Sequence, residues 1–380
     1  MMFKGFYVLF LILVLISASN ASAIESGITE YPLTIVDNMN NTITIESKPE
    51  RILSTMPSNT EILFAVGVGE YVVGGTIHDE YPPEAVEIPK VGGYTNLDFE
   101  AIVNLEPDVV FASEANGEDA INMLKDLGFT VIIIEPNTID DIMNNIELIG
   151  EVTGNKETAL SVTEDMRAQM DAITSKTEDI PAEDRPRVLY LIWHDPMYSA
   201  GLNSYPDDLI TMSGGNNIQK AEGWPVINLE NVIASNPQII ICSGMGGGSY
   251  VIMESIKNND ALAQTDAIKN NKVYPIDQPG IIEIPGPRIV EGLKELHGYI
   301  EPEIEVNEEQ TEEEESVIKA NEEQLEDESP LNNVPGDSES GIQANAEQTE
   351  QEAPVNSTPG FSVMVASCML VAGYLRAKRS

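Results

Sequence analysis

Cysteine, histidine and positive charge are all scarce in this chain, and each shortage removes a class of function. The two cysteines, Cys242 and Cys368, lie in apolar runs far apart, which excludes a disulfide framework and a thiolate metal site. The three histidines, His78, His194 and His297, stand at no metal-ligand spacing. No resident metal or other cofactor is therefore expected. Twenty basic residues face 63 acidic ones, a formal charge of −43. Such a surface repels nucleic acid and anionic membranes. The glycine-rich stretch Ser243–Ser249 lacks the lysine of a phosphate loop, and no nucleophile is paired by motif with a base. Nothing here reads as an enzyme.

Both ends carry address-like features. Residues 1–23 combine Lys4, an apolar run to Ile16 and Ala21-Ser22-Ala23, the anatomy of a secretory signal peptide. Residues 301–358 hold 19 acids and one lysine, Lys319. That segment cannot bury enough apolar area to offset its ordering entropy and is expected to be a disordered linker. Residues 359–380 begin Pro359-Gly360-Phe361, continue in an apolar stretch to Leu375 and close on Arg376, Lys378 and Arg379. This resembles the PGF-type sorting signal of archaeal surface proteins. The resemblance implies an archaeosortase-type processing enzyme as partner, and anchoring at the outer cell surface through the C-terminus.

Between the ends, apolar strands alternate with helical periods. Residues 31–154 read as a hairpin followed by strand–helix units, and 186–300 as a second set of such units. Helix-compatible sequence runs without interruption from Thr138 to Thr177, and its last part, 155–178, reads as a connector helix. Continuous apolar strands separated by helices imply parallel sheets covered on both faces. The expected fold is α/β: two Rossmann-like lobes with parallel central sheets, joined by one long rigid helix.

One short unit occurs twice. "NLDFEAIVNLEPDVVF" returns 130 positions later as "NLENVIASNPQIII" with its flanks. Glu100 then falls on Glu230, Pro107 on Pro237 and Asp98 on Asn228, while positions 97, 99, 102, 103 and 109–111 meet apolar partners. Each acid stands in the first turn of a helix, where the backbone dipole favours negative charge. The loops expected beyond the strands' C-terminal ends concentrate aromatics, including both tryptophans, Trp193 and Trp224. Flat side chains with few charges suit a bulky, partly apolar ligand.

The segments "RILSTMPSNTEILFAVGVGEYVVGGTIHDEYPPEA", "PKVGGYTNLDFEAIVNLEPDVVFAS" and "GPRIVEGLKEL" resemble the substrate-binding proteins of ABC importers for cobalamin, siderophores and haem. The resemblance covers about Leu33 to Ile300. It implies capture of a metal chelate between the lobes and delivery to a permease dimer with its ATPase. It matches Glu100 and Glu230 to the two glutamates that dock on arginine pockets of the permease. It places His78, Tyr94 and Trp224 at ligand-contacting positions of the cobalamin carrier and adds Trp193, with His194 beside it. Cobalamin or a related corrinoid leads, and an iron–siderophore or haem is the alternative. Arg288 is the cleft arginine that an anionic siderophore would need, unless it anchors its own helix.

Overall fold

The computed structural model describes residues 29–244, 248–278 and 280–304. The expected signal peptide at 1–23, nearly all of the acidic segment and the tail at 359–380 lie outside them.

The first half begins with a hairpin, β1 (Leu33–Val36) and β2 (Thr42–Ile45). Its turn is tied by Asp37, whose Oδ1 accepts from the backbone N–H groups of Met39 and Asn41. The chain continues through β3 (Ile52–Ser54), α1 (Pro57–Ala65), β4 (Val72–Gly74), the two-residue strands β5 (Gly92–Gly93) and β6 (Asn96–Leu97), α2 (Phe99–Leu105), β7 (Val109–Ala112), α3 (Glu118–Asp126) and β8 (Val131–Ile133). A four-stranded parallel sheet forms in the order β4-β3-β7-β8.

Two helices follow, α4 (Ile139–Val152) and α5 (Lys156–Thr177). The apolar period crosses the junction, but Gly154 takes φ +71°, a left-handed turn that a continuous helix cannot hold. Only one stripe of α5 is buried: Ala159, Thr163, Met166, Met170, Ile173 and Thr177. These fall at alternating steps of four and three, so α5 lies along the body with its other faces in water. The helices approach so closely that a Cβ on Gly150 would collide with that of Ala159.

The second half contains β9 (Arg187–His194), β10 (Met197–Ser199), α6 (Tyr205–Met212), β11 (Asn216–Asn217), α7 (Leu229–Ser235), β12 (Ile239–Cys242), α8 (Gly248–Lys257), a helical turn at Asp266–Lys269, β13 (Val273–Pro275) and α9 (289–304). Its sheet runs β10-β9-β12-β13, with β11 also on β9. All pairings are parallel except that of β10 with β9. The acidic segment was expected to begin at residue 301, and here the structure makes a correction. Residues 301–304 continue α9 because Ile304 is buried and Glu303 pairs with Lys272.

Side-chain alternation shows how the layers are built. In β7, Val109 and Phe111 join one core cluster, while Val110 and Ala112 join another on the opposite face. In β12, Ile239 and Ile241 join the first cluster, and Ile240 and Cys242 a third. The first cluster therefore reaches the inner faces of both sheets, and it includes Ile142, Ile146, Met166, Met170 and Leu293 of the intervening helices. Each fully buried side chain of this size contributes roughly 1.5–3 kcal/mol. Burial also pushes the Cys242 thiol up to about 12, so it behaves as a small apolar residue.

Candidate functional site

In open parallel sheets, ligand-binding loops gather beyond the strands' C-terminal ends. Three aromatic pairs occupy these segments. His78, just past β4, lies with its ring 5.3 Å from that of Tyr94 in the β5–β6 turn. Trp193 and His194, at the end of β9, have ring centroids 5.0 Å apart. Tyr205, first residue of α6, meets Trp224 edge-on at 5.5 Å. All four residues expected to contact ligand thus belong to ring pairs.

Their exposures differ. His78, Trp193 and Trp224 are half-buried, whereas Tyr94 is buried. Tyr94 packs with Met56 and Ala115, and its carbonyl accepts from Asn116 Nδ2 at 2.8 Å. Its ring is therefore a floor beneath His78 rather than an open contact face. The segment around Trp193, expected as a loop, forms the β9–β10 hairpin, with Tyr198 paired to Trp193. The indole Nε1 donates to the Asp195 carbonyl at 2.9 Å, and His194 Nδ1 lies 3.0 Å from Ser255 Oγ. Both rings are held by local hydrogen bonds before any ligand arrives.

Arg288 is not free to meet an anion. Its Nε donates to Glu61 Oε2 at 3.0 Å, a second guanidinium nitrogen donates to Oε1, and its Cζ lies 4.1 Å above the Tyr81 ring. Burial holds the Glu61 carboxyl above its ordinary range despite the arginine. At Arg288 burial opposes the charge, but the hydrogen bond and charge of Glu61 outweigh it and raise the guanidinium. This clasp joins α1 of the first half to the segment before α9. Asp208 makes another bridge, its Oδ2 accepting from the Ile139 backbone at 2.8 Å at the start of α4. Glu61 gave no sequence signal, because an acid within an apolar helical run reads as solvent-facing.

Two serine–glutamate contacts also sit at strand ends. Ser113 Oγ donates to Glu135 at 2.6 Å and Ser243 Oγ to Glu283 at 2.5 Å. The serines are 130 positions apart, like the glutamates of the repeat. Burial raises the Glu135 carboxyl. It also pushes the Tyr205 hydroxyl far above its usual range, with the charges of Glu283 and Glu135 adding to the effect.

The repeated helices α2 and α7 match in detail. Asp98 caps α2 by accepting from Ala101 N–H, and Asn228 caps α7 by accepting from Asn231 N–H. Both helices end on a left-handed residue, Glu106 at φ 44° and Asn236 at φ 43°. Arg51 Nε donates to the carbonyls of Leu105 and Glu106, and Arg187 Nε to that of Asn236. Arg51 immediately precedes β3 and Arg187 opens β9, so this brace was visible in the sequence. Glu100 and Glu230 are both exposed. A hollow of about 240 Å³ flanks α7, lined by Ile227, Asn231, Ala234 and Ser235 on that side.

Among the described residues no group of three or more His, Cys, Asp or Glu side chains could hold a metal ion. No helix there is long and apolar enough to cross a membrane.

The periplasmic binding protein family profile matches residues 52–279. An uncharacterized ABC transporter substrate-binding lipoprotein of Bacillus subtilis is 32% identical over 279 residues, covering 72% of this chain and 87% of its own. A cobalamin-binding protein of Halobacterium salinarum is 28% identical over 277 residues, covering 70% and 73%. Among solved structures, a periplasmic haem-binding protein from Roseiflexus sp. RS-1 in apo form superposes with a TM-score of 0.59 at 26% identity, covering 67% of this chain and 99% of its own.

Proposed function

Because this chain belongs to the periplasmic binding protein family, we propose that it captures a corrinoid, cobalamin foremost, between its two halves and hands it to an importer. The chain is the substrate-binding component of an ABC importer and not an enzyme. An iron–siderophore or haem is the alternative cargo. One observation favours the corrinoid over an anionic siderophore: Arg288 is already engaged by both Glu61 oxygens. Lys90, just before β5, donates to the Ala85 carbonyl at 2.8 Å. What remains is half-buried aromatic surface at His78, Trp193 and Trp224, suited to a large flat ring system.

In this reading Glu100 and Glu230 dock on the two equivalent halves of a permease dimer. The signal peptide exports the chain, and the 359–380 tail is processed by an archaeosortase-type enzyme, leaving the carrier anchored at the outer surface. Both tryptophans lie in the ligand-facing segments, so their fluorescence reports on binding. Titrating the mature chain with cobalamin, cobinamide, haem and a ferric siderophore should give saturable quenching that is tightest for a corrinoid. Tighter binding of haem or the siderophore would reassign the cargo, and no binding by any of them would remove the carrier reading.

A further inference from the structure

Of the apolar positions shared by the two copies of the repeat, all but one are withdrawn from water. Positions 97, 99, 102 and 109–111 and their partners at 227, 229, 232 and 239–241 are buried or half-buried. Val103 and Ile233 are not: they are 45% and 40% exposed. Each stands three residues after the exposed glutamate of its helix, and that spacing puts both side chains on one face. Neither the core nor a cap calls for a branched apolar residue there, because Ile102 and Val232 already make the inward contact. The next exposed position is not repeated, being Asn104 in one copy and Ala234 in the other.

A single exposed valine needs no explanation. The same acid–apolar pair, shown twice on helices with matching caps and arginine braces, does. Resting on the reading of Glu100 and Glu230 as docking posts, we propose that Val103 and Ile233 complete each post. Each would fill an apolar dent beside the cation that its glutamate engages, on a two-fold permease. Charge decides the occupant. A second copy of this chain would bring one acidic surface against another, whereas a permease face with a cation next to each dent complements both parts of the pair. The glutamates then supply orientation and encounter rate, which salt screens. The two branched side chains supply a contact that salt leaves intact.

The test uses the mature chain and a permease–ATPase complex in lipid nanodiscs, chosen as the one whose ATPase the wild-type chain stimulates. Val103→Ser with Ile233→Ser should weaken binding about tenfold at both low and about 0.5 M salt. Glu100→Gln with Glu230→Gln should weaken it at low salt only. Asn104→Ser with Ala234→Ser is the surface control, and unchanged melting and tryptophan quenching verify the fold and ligand site of every variant. If the Val103/Ile233 variant binds within about twofold of wild type while the glutamate variant is impaired, the apolar contact is overturned and the docking posts stand. If both variants bind like wild type, the docking posts fail and the apolar contact with them. A change in self-association on Val103/Ile233 substitution, with permease binding intact, assigns the patch to a second copy and likewise overturns the proposal.

Discussion

The Arg288 guanidinium directs both donor edges at Glu61 and its flat face at Tyr81. The Glu61 side chain is only 2% exposed. Replacing it with glutamine leaves a largely buried guanidinium without its counter-charge, which costs about 3 kcal/mol. Glu61→Gln should therefore lower the chemical-denaturation stability by that order, with unaltered secondary structure by circular dichroism, and a loss below about 1 kcal/mol would show the pair to be dispensable. At the rings proposed to face ligand, Trp193→Ala and Trp224→Ala should each weaken corrinoid binding about tenfold or more. Tyr94→Phe should leave affinity near wild type, because the buried ring supports His78 from below. A Tyr94→Phe loss as large as the tryptophan losses would put that hydroxyl on the ligand. Residue identity showed where the aromatics concentrate along the chain. Which of them faces water depends on Met56, Ala115 and Asn116 closing over Tyr94, contacts no local pattern encodes.

Elements were easier to foresee than their neighbours. β7 and β12 are runs of fully buried residues, and such runs between helices announce a parallel sheet. α2 and α7 were legible from Asp98 and Asn228, both good caps. Apolar spacing continues across the junction of α4 and α5, so the break there is explained by the conformation of Gly154 rather than by the period. The antiparallel β10 carries no such local signal, since its pairing depends on a turn after His194 rather than on strand-forming residues alone. The extra turn of α9 was hidden by its acidic composition, although Ile304 gave the apolar signal. Gly150 tests the α4–α5 packing directly. Alanine raises intrinsic helix propensity by up to about 1 kcal/mol. Here its methyl meets Ala159, so Gly150→Ala should be net destabilising by about 1–2 kcal/mol. Stabilisation on denaturant unfolding would mean the helices can part at no cost. The acid pair belongs to this scale too: Glu100→Ala with Glu230→Ala should abolish uptake by cells while leaving ligand affinity unchanged, and normal uptake would end the docking role.

For the whole molecule, charge and burial push stability in the same direction with pH. Burial raises the carboxyls of Asp79 and Glu135 above their ordinary range. These groups bind protons more tightly folded than unfolded, so their favourable linkage is fully present below the unfolded values. It is lost as pH rises through the raised ones. Deprotonation across the acidic surface adds self-repulsion over the same interval. The thermal midpoint should thus be higher near about pH 5 than near about pH 8, and a midpoint that climbs with pH would contradict this account. The two-sheet plan was open to sequence reading because its periodicities are local. The packing that unites the halves was not, since Glu61 with Arg288 and Ile139 with Asp208 join residues far apart in the chain.

That union has a mechanical corollary. Hydrophobic packing unbroken from one sheet to the other resists wide gaping, so on the proposed reading the jaws are set near one width and grip only what already fits. Cargo leaves such a jaw when something else pries it apart. The work of unloading then falls on the motor in the membrane, and the carrier itself needs no spring.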